Sequence, residues 1–151
     1  YNDHYGHLAG DDCLQRIAEA VRTAVAGNPA DLLARYGGEE LVAVLIDRTA
    51  ADAEAAAGRI VADVAALAIP HAGSSTGSIV SISVGAATHH PAAAPAYSTV
   101  AKLADNALYA AKNQGRNRCV CVKMHTPGVT PAFPSSEKRG IAAANEGLIG
   151  R

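Results

Sequence analysis

Arg35-Tyr36-Gly37-Gly38-Glu39-Glu40-Leu41 is a short polar stretch that lies between two apolar runs, residues 32–34 and residues 41–46. Glycine accepts the positive φ angle that tight hairpin turns require, so a two-residue turn at Gly37 and Gly38 is predicted to join two antiparallel strands. The strands are expected near residues 31–36 and 40–47. This hairpin is the local element from which the rest of the fold is interpreted.

The same turn also suggests a chemistry. The bare glycine backbone lets a phosphate group approach, and Glu39 and Glu40 offer two carboxylates to a hard cation such as Mg²⁺ held against that phosphate. A Gly-Gly hairpin with two solvent-exposed glutamates is also a common structural feature without any function. Taken alone, the turn leaves both interpretations open.

The composition limits the class of protein. The chain has 151 residues, 49% apolar, with one Phe and no Trp, which fits a single domain with small-residue helix packing and excludes wholesale disorder. A formal net charge of −1 and a pI near 6.6 favour neither a nucleic-acid groove nor direct membrane contact. Three cysteines without a Cys-x-x-Cys pair argue against a disulfide framework and a zinc site, and no apolar run is long enough to span a bilayer. A cytoplasmic location is expected.

The periodicity and order of the elements predict an α+β or α/β-type fold with helices flanking a central mixed sheet. About five strands are expected in this sheet, one of them preceding residue 1. Residues 125–151 are rich in Pro, Ser, Gly and Ala and are predicted to be a mostly unstructured tail, with one helical turn at residues 141–149 as the alternative. The chain starts at Tyr1 without an initiator methionine, which predicts a fragment of a longer protein. The expected elements are a loop over residues 1–10, helices over 11–26, from Thr49 or Asp52 to 67, and 98–114, and further strands at 79–88 and 118–124.

Two further clusters carry side chains suited to a nucleotide. One segment offers an amide and carboxylates that together match the edge of a guanine base; it contains Asn2, Asp3, Gly6, His7, Gly10 and Asp11. Local capping of backbone N–H groups explains the same residues without a ligand. Lys112 and Arg116 are four residues apart, which predicts one helical face and a clamp on two phosphate oxygens. Cations at a helix C-terminus are also frequent without function. Base reading, carboxylates and phosphate cations together suggest a nucleoside-triphosphate site.

At these residues the chain resembles the GGDEF family of diguanylate cyclases. The resemblance covers residues 1–124, and Ser81-Ile82-Ser83-Val84-Gly85 is similar to the strand that precedes the last long helix of the family. Three blocks carry it in the family's order: Asn2-Asp3-x-x-Gly6-His7-x-x-Gly10-Asp11-x-x-Leu14, Arg35-Tyr36-Gly37-Gly38-Glu39-Glu40-Leu41, and Ala104-Asp105-x-Ala107-Leu108-Tyr109-x-Ala111-Lys112-x-x-Gly115-Arg116-Asn117.

The resemblance implies a reaction and its partners. Two GTP molecules are condensed to cyclic di-GMP and two pyrophosphates across an antiparallel homodimer, with Mg²⁺ as cofactor and an N-terminal sensory or receiver domain controlling the catalytic one. By resemblance the guanine is bound by Asn2 and Asp11, the nucleotide approaches the backbone of Gly37 and Gly38, and the phosphates are held by Lys112 and Arg116. Glu39 is implied to bind metal and to help deprotonate the 3′-hydroxyl, and Glu40 to be a further metal carboxylate.

The chain departs from the family pattern at three places. The first strand of the family, with a metal-binding Asp, precedes the Asn2 block and lies outside this sequence, so weak GTP binding and little cyclisation are expected of this chain alone. In the inhibitory product site, Arg-x-x-Asp, Asp31 matches but Asn28 stands where the family has Arg, so no strong product inhibition is expected. Leu41 replaces the usual Phe with another apolar core residue, without expected loss.

Two other classes of function remain open at this point. A catalytically silent module that binds GTP or cyclic di-GMP and regulates an attached domain is the main alternative, and a domain that only dimerises is the other. The presence of Glu39, Glu40, Lys112 and Arg116 together favours the enzyme.

Overall fold

The computed structural model describes residues 1–89, 97–124 and 139–146. Within these residues four helices and five strands form a mixed α+β architecture, the class that the periodicity predicts. In chain order the elements are α1 (Asn2–Tyr5), α2 (His7–Val25), β1 (Leu32–Gly37), β2 (Glu40–Ile46), α3 (Ala50–Ala66), β3 (Ile82–His89), α4 (Tyr97–Asn113), β4 (Cys119–Lys123) and β5 (Arg139–Glu146).

The sheet consists of two pairs of strands with a single strand between them. β1 and β2 form the predicted antiparallel hairpin, and β3 and β4 form a parallel pair connected through α4. The backbone of β5 lies between β2 and β3 and is antiparallel to both, so the strand order is β1-β2-β5-β3-β4.

The position of β5 was not predicted. Residues 139–146 were assigned to an unstructured tail, or in part to a helical turn, but they are extended and pair on both sides. Facing edges of two strands present unpaired N–H and C=O groups, and an extended segment that satisfies both rows is stabilised whatever its own propensity. The predicted count of about five strands included a different, upstream strand, so β5 does not test it. The remaining residues of the predicted tail lie outside the described residues.

Side-chain alternation along β3 divides the core into two faces. Ile82, Val84 and Ala86 belong to the larger cluster with α2 and α3, whereas Ala87 packs with residues of α4. The sheet is therefore covered by α2 and α3 on one face and by α4 on the other, and β3 is buried on both faces. The most deeply buried large side chains of the described residues include Ile17, Val21, Leu45, Ile60, Val64, Val80, Ile82, Val84 and Val100.

α4 crosses β3 at Gly85. A Cβ atom on Gly85 would overlap the backbone of α4 at the carbonyl oxygen of Ala104 and at the amide of Leu108. A small residue is therefore required at this position of the strand, because helix backbone lies directly over it. Close approach of the two elements depends on the absence of a side chain at this one position.

Two helix boundaries need comment. The segment predicted as a loop is largely helical, since α1 spans Asn2–Tyr5 and α2 begins at His7, four residues before the predicted start. Gly6, with φ of +82°, separates the two helices. The start of α3 is confirmed: Thr49 and Asp52 form a reciprocal capping box with hydrogen bonds of 3.0 and 2.7 Å. None of the helices in the described part of the chain is long and apolar enough to cross a bilayer.

Substitution of Gly85 tests the helix–strand approach. We expect Gly85→Ala to lower the free energy of unfolding by about 2–3 kcal/mol, because the added methyl group collides with backbone atoms that have no rotamer to change. Gly58→Ala in α3 is the matched control, since a Cβ there meets no atom within 4 Å. That change should stabilise the protein by about 0.5–1 kcal/mol. Urea unfolding measures both, and an unchanged midpoint for Gly85→Ala would contradict the packing.

Candidate functional site

The glycine turn differs in one detail from its prediction. β1 continues through Gly37, so the two turn residues are Gly38 and Glu39 rather than the two glycines. Only Gly38 has a positive φ angle, +53°, and its carbonyl oxygen accepts a hydrogen bond of 2.7 Å from Nε of Arg35. An irregular register between Arg35 and Gly37 marks a bulge that makes room for this geometry.

The tip of the turn is open to an approaching ligand. Nothing lies within 4 Å of a Cβ built on Gly37 or Gly38, so the backbone there is unobstructed. The side chains of Glu39 and Glu40 follow directly and are half-buried. Bare backbone and two carboxylates are thus adjacent at the end of the hairpin, as predicted from the sequence.

Asn2 packs against the start of α2. Its side chain lies over Gly10, where a Cβ atom would overlap the Asn2 amide oxygen. That oxygen, Oδ1, is buried and accepts no hydrogen bond from the described residues. A buried acceptor without a donor costs about 1–3 kcal/mol, which an N–H group of a ligand would recover. Asp11 is the residue after Gly10 and is exposed.

The two predicted phosphate cations do not share a helical face. α4 ends at Asn113, so Lys112 lies in its last turn and Arg116 lies beyond it. The Arg116 N–H donates to the carbonyl oxygen of Ala111, and its φ angle is +60°. The i, i+4 argument was wrong here because the chain leaves the helix through Gly115, at φ +108°. Both residues remain close in sequence to the start of β4.

The strand registers bring the turn and the cationic segment to one edge of the sheet. Glu40, at the start of β2, pairs with Asn145 in β5, and Asn145 pairs with Ser83 in β3. The next residue, Val84, donates its N–H to the carbonyl oxygen of Arg118 at 2.9 Å. With neighbouring strands about 4.8 Å apart, the backbone of Glu40 lies roughly 10 Å from β3 and roughly 14 Å from β4. We call the end of the sheet at which β2, β3 and β4 begin the upper edge.

The Asn2 block also lies towards the upper edge. The hydroxyl of Tyr5 accepts a 2.9 Å hydrogen bond from the N–H of Ala72, in the segment that leads into β3. The ring of Tyr1 packs edge-on against His71 at 5.2 Å. Tyr1 and Tyr5 thus tie the Asn2 block to the segment that leads into β3, a strand that begins at the upper edge.

Sequence reasoning overlooked His71. The Gly- and Ser-rich sequence that follows it gives no sign that its side chain is buried. Yet His71 is only 7% exposed, and its Nδ1 atom has no partner among the described residues. Its backbone N–H donates to the carbonyl oxygen of Ser78 at 2.8 Å and fixes the loop. The His71 ring thus packs against the rings of Tyr1 and Tyr5, which lie on either side of Asn2 in the sequence.

The residues at the turn fit part of a metal site. Mg²⁺ is usually held by one or two protein carboxylates together with substrate phosphates and water, and Glu39 and Glu40 supply two such groups beside open backbone. Among the side chains that the structure describes, no group of three or more His, Cys, Asp or Glu residues is arranged to hold a metal ion. Two carboxylates are as many protein ligands as Mg²⁺ commonly uses when other oxygen atoms complete its coordination.

Asp31 has a structural role at the opposite edge of the sheet. Its side chain is 7% exposed and accepts hydrogen bonds from the backbone N–H groups of Asn28 and Ile46, at 3.0 and 2.8 Å, and from Nη2 of Arg48 at 2.9 Å. Asn28 in turn donates to the carbonyl oxygen of Ile46 at 3.4 Å. This arrangement ties the start of β1 to the end of β2. It leaves the Asp31 carboxylate engaged within the protein.

Cys119 and Cys121 are neighbours on one face of β4. Burial, and next the proximity of Cys119, raise the pKa of Cys121 to about 11, although part of the Cys121 surface remains exposed. The thiol is therefore protonated at neutral pH and is a poor nucleophile and a poor metal ligand. Cys119 packs against the larger core cluster, whereas Cys121 is exposed.

Comparison with known proteins gives one family. The sequence profile of the family described as "Diguanylate cyclase, GGDEF domain" matches residues 1–118. Diguanylate cyclase A of Treponema denticola is 38% identical over 126 residues, which is 83% of this chain and 33% of that protein. The probable diguanylate cyclase DgcT of Escherichia coli is 38% identical over 120 residues, 79% of this chain and 26% of that protein. Diguanylate cyclase DosC of Escherichia coli is 34% identical over 117 residues, 78% and 24% respectively. The chain thus spans a third or less of the length of these relatives.

The hydrogen bonds of Asp31 predict a large effect on stability. Asp31→Ala removes the acceptor of two buried N–H groups and the partner of Arg48, and we expect a loss of about 2–4 kcal/mol in the free energy of unfolding. Glu19→Ala is the matched control because it removes the partner of Arg22 on the exposed surface of α2. That change should cost less than about 0.5 kcal/mol. Equal unfolding midpoints for the two variants would show that the Asp31 interactions contribute little.

Burial of His71 predicts a dependence of stability on pH. Burial lowers the pKa of the imidazole below its ordinary value, because the charged form loses its hydration. The unfolded chain then binds a proton at higher pH than the folded chain, so stability falls as the pH drops through about 6.5 toward the folded pKa. We expect the unfolding free energy of the parent to decrease more on acidification than that of His71→Phe, which keeps the ring contacts. Chemical denaturation across this range measures the difference, and parallel curves would contradict it.

Proposed function

Because the chain belongs to the GGDEF domain family of diguanylate cyclases, we propose that it is the nucleotide-binding and catalytic part of an enzyme that condenses two GTP molecules to cyclic di-GMP and two pyrophosphates. In each of the two steps the 3′-hydroxyl oxygen of one nucleotide forms a bond to the α-phosphorus of the other. The bond from that phosphorus to pyrophosphate breaks, and the hydroxyl proton passes to a base. The residues of the upper edge are assigned the roles of binding, orientation and proton transfer.

The observation that carries the proposal is the shared upper edge. The pairing of Glu40 with Asn145, of Asn145 with Ser83, and the hydrogen bond from Val84 to Arg118 align the turn with the segment after α4. A nucleoside triphosphate needs a base-binding group, a carboxylate pair and cations within one molecule's length. The turn and the cationic segment share one edge, and the Asn2 block contacts the segment that leads into β3. This arrangement supports the use better than a purely structural interpretation does.

Guanine recognition is proposed for Asn2 and Asp11. The buried Oδ1 of Asn2 accepts no hydrogen bond from the described residues, and guanine carries N–H donors on its ring and its exocyclic amine. Asp11, one residue beyond Gly10, offers a carboxylate to the same donors. In our proposal the Asn2 side chain turns Oδ1 from Gly10 toward the bound base. Guanine then satisfies an acceptor that the described residues leave unpaired, which is a source of specificity as well as affinity.

Phosphate handling is proposed for the turn and for the cationic segment. The open backbone at Gly37 and Gly38 admits the phosphates, and Lys112 and Arg116 balance their negative charge from the other side. When bound, a divalent cation, in our proposal Mg²⁺ held by Glu39 and Glu40, supplies electrostatic stabilisation of the phosphoryl oxygens. Glu39 is the residue to which we assign the proton of the 3′-hydroxyl.

A homodimer follows from the chemistry of the product. The chain has one Asn2 block and one glycine turn, hence one proposed GTP site, whereas cyclic di-GMP requires two GTP molecules facing each other. Two copies related by a twofold axis would present the nucleotides antiparallel, each 3′-hydroxyl toward the other α-phosphate. An N-terminal sensory or receiver domain that controls this pairing is proposed for the whole protein, because the relatives extend well beyond the matched region.

Catalysis can be tested with a carboxylate series. We expect the chain extended at its N-terminus by a family first strand with its aspartate to form cyclic di-GMP from GTP and Mg²⁺ faster than the chain alone. In the extended protein Glu39→Gln should lower the rate by about 10²-fold or more, because it removes several kcal/mol of transition-state stabilisation. Glu54→Gln on the exposed surface of α3 is the control and should leave the rate unchanged. Chromatography of the nucleotide products gives the rates.

Two outcomes would go against the proposal. Equal rates for the chain and its extended form would show that the family first strand is dispensable. GTP binding without turnover in both forms, unaffected by Glu39→Gln, would favour the regulatory module that binds nucleotide without converting it.

A further inference from the structure

His71 is a buried polar residue to which the proposed function assigns no role. Its side chain is 7% exposed, and its Nδ1 atom has no partner in the part of the chain that the structure describes. A buried nitrogen without a partner costs stability, so its presence in the fold calls for a physical explanation. His71 also lies outside the three sequence blocks that carry the family resemblance.

The segment that carries His71 is a short ribbon anchored in the core. Its two arms are antiparallel: the N–H of Val80 donates to the carbonyl oxygen of Ile69, and the N–H of His71 donates to that of Ser78, both at 2.8 Å. Ile69 and Val80 are 3% and 2% exposed and belong to the larger core cluster. The ribbon leads directly into β3, at the upper edge of the sheet. His71 is therefore held in place by the core itself.

The helical turn α1, in contrast, cannot hold its conformation by its own hydrogen bonds. It spans only Asn2–Tyr5, no side chain caps its N-terminus, and Gly6, at φ +82°, separates it from α2. Helices shorter than about 12 residues are marginal in water, because nucleation costs more than one turn returns. Contacts from other parts of the fold must therefore fix the backbone at Asn2, on which the proposed guanine contact depends.

These contacts come from the ribbon. The ring of His71 lies edge-on to the ring of Tyr1 at 5.2 Å and to that of Tyr5 at 6.4 Å, and the two tyrosine rings are 4.6 Å apart. The N–H of Ala72 donates to the Tyr5 hydroxyl at 2.9 Å. Aromatic pairs at such distances stabilise a structure beyond the area that they bury. Since Asn2 lies between the two tyrosines in the chain, the ring contacts set the orientation of its backbone.

We propose that His71 is a positioning residue for base recognition: its ring holds α1 through Tyr1 and Tyr5 and so places Asn2 beside the bound guanine. This inference rests on the guanine-binding role that the proposed function gives to Asn2. His71 acts through Asn2 and contacts no substrate itself. With the backbone of Asn2 already fixed, only its side chain has to turn from Gly10 toward the base, so little ordering entropy is lost when the nucleotide binds.

Hydrogen exchange tests the structural step without any nucleotide. The N–H groups of Tyr5 and Gly6 donate to carbonyl oxygens one turn earlier, at 2.9 and 2.8 Å. In His71→Ala these two amides should exchange at least about fivefold faster than in the parent, because local opening of α1 no longer breaks ring contacts. Val64→Ala, which truncates a buried side chain of α3, is the control and should leave the two amides unchanged. Equal exchange in the parent and His71→Ala would overturn the proposal.

A double-mutant cycle in GTP binding tests whether His71 acts through Asn2. In the parent background His71→Ala should weaken GTP binding about tenfold, since the amide is no longer held in place. In an Asn2→Ala background the same change should weaken binding by less than about twofold, because no amide is left to position. Titration with GTP followed by NMR measures the weak affinities expected of this chain. Additive losses would show that His71 affects only the fold as a whole, and would overturn the proposal.

His71→Phe separates ring packing from general destabilisation. It keeps an aromatic ring at the same place and should bind GTP within about twofold of the parent, as should the destabilised control Val64→Ala. Equal weakening of GTP binding by His71→Phe and His71→Ala would overturn ring packing as the means of positioning. Unchanged GTP affinity in Asn2→Ala would overturn the guanine assignment of the proposed function together with this inference, whereas additive losses in the cycle overturn this inference alone.

Discussion

The backbone of β2 and β3 must be hydrogen-bonded on the sides that face each other, and the rest of the structure depends on how this is achieved. β3 is buried on both faces, between α4 and the layer of α2 and α3, so water cannot replace a missing strand partner there. β5 satisfies both rows at once. The hairpin and the β3–β4 pair hold a common register only because a strand runs between them, and that register defines the upper edge on which the candidate site lies.

The two edges of the sheet use charge in different ways. At the opposite edge the Asp31 carboxylate accepts hydrogen bonds from Asn28, Ile46 and Arg48, so its hydrogen-bonding capacity is used within the fold. At the upper edge the glycine turn presents open backbone, and the amide oxygen of Asn2 accepts no hydrogen bond from the described residues. The polar groups around Asp31 are hydrogen-bonded to one another and stabilise the hairpin. The proposed nucleotide binding depends instead on polar groups that can still form hydrogen bonds with a ligand.

Glycine is required at three places, and the physical reason differs between them. Gly85 lets α4 lie on β3, Gly10 lets the side chain of Asn2 settle against α2, and Gly38 supplies the positive φ angle of the turn. In the first two cases the neighbour that requires glycine lies far away in the sequence or outside the local helix pattern. Only Gly38 belongs to a local motif. It is the only one of the three whose conformation the sequence predicted, as part of a turn at Gly37 and Gly38.

Local patterns in the sequence determined most of the elements and the chemistry of the candidate site. The alternation in β3, the capping box of α3 and the carboxylates after the glycine pair are properties of neighbouring residues, and such properties survive without knowledge of the fold. The helical character of residues 2–10 and the end of α4 before Arg116 were missed, because short polar segments and helix ends have weak local preferences that packing overrides. Tertiary structure alone decided the burial of His71, the engagement of Asp31 and the place of β5 at the centre of the sheet. Each of these depends on partners distant in sequence, and for β5 the hydrogen-bonding demand of two other strands outweighs what its own eight residues favour.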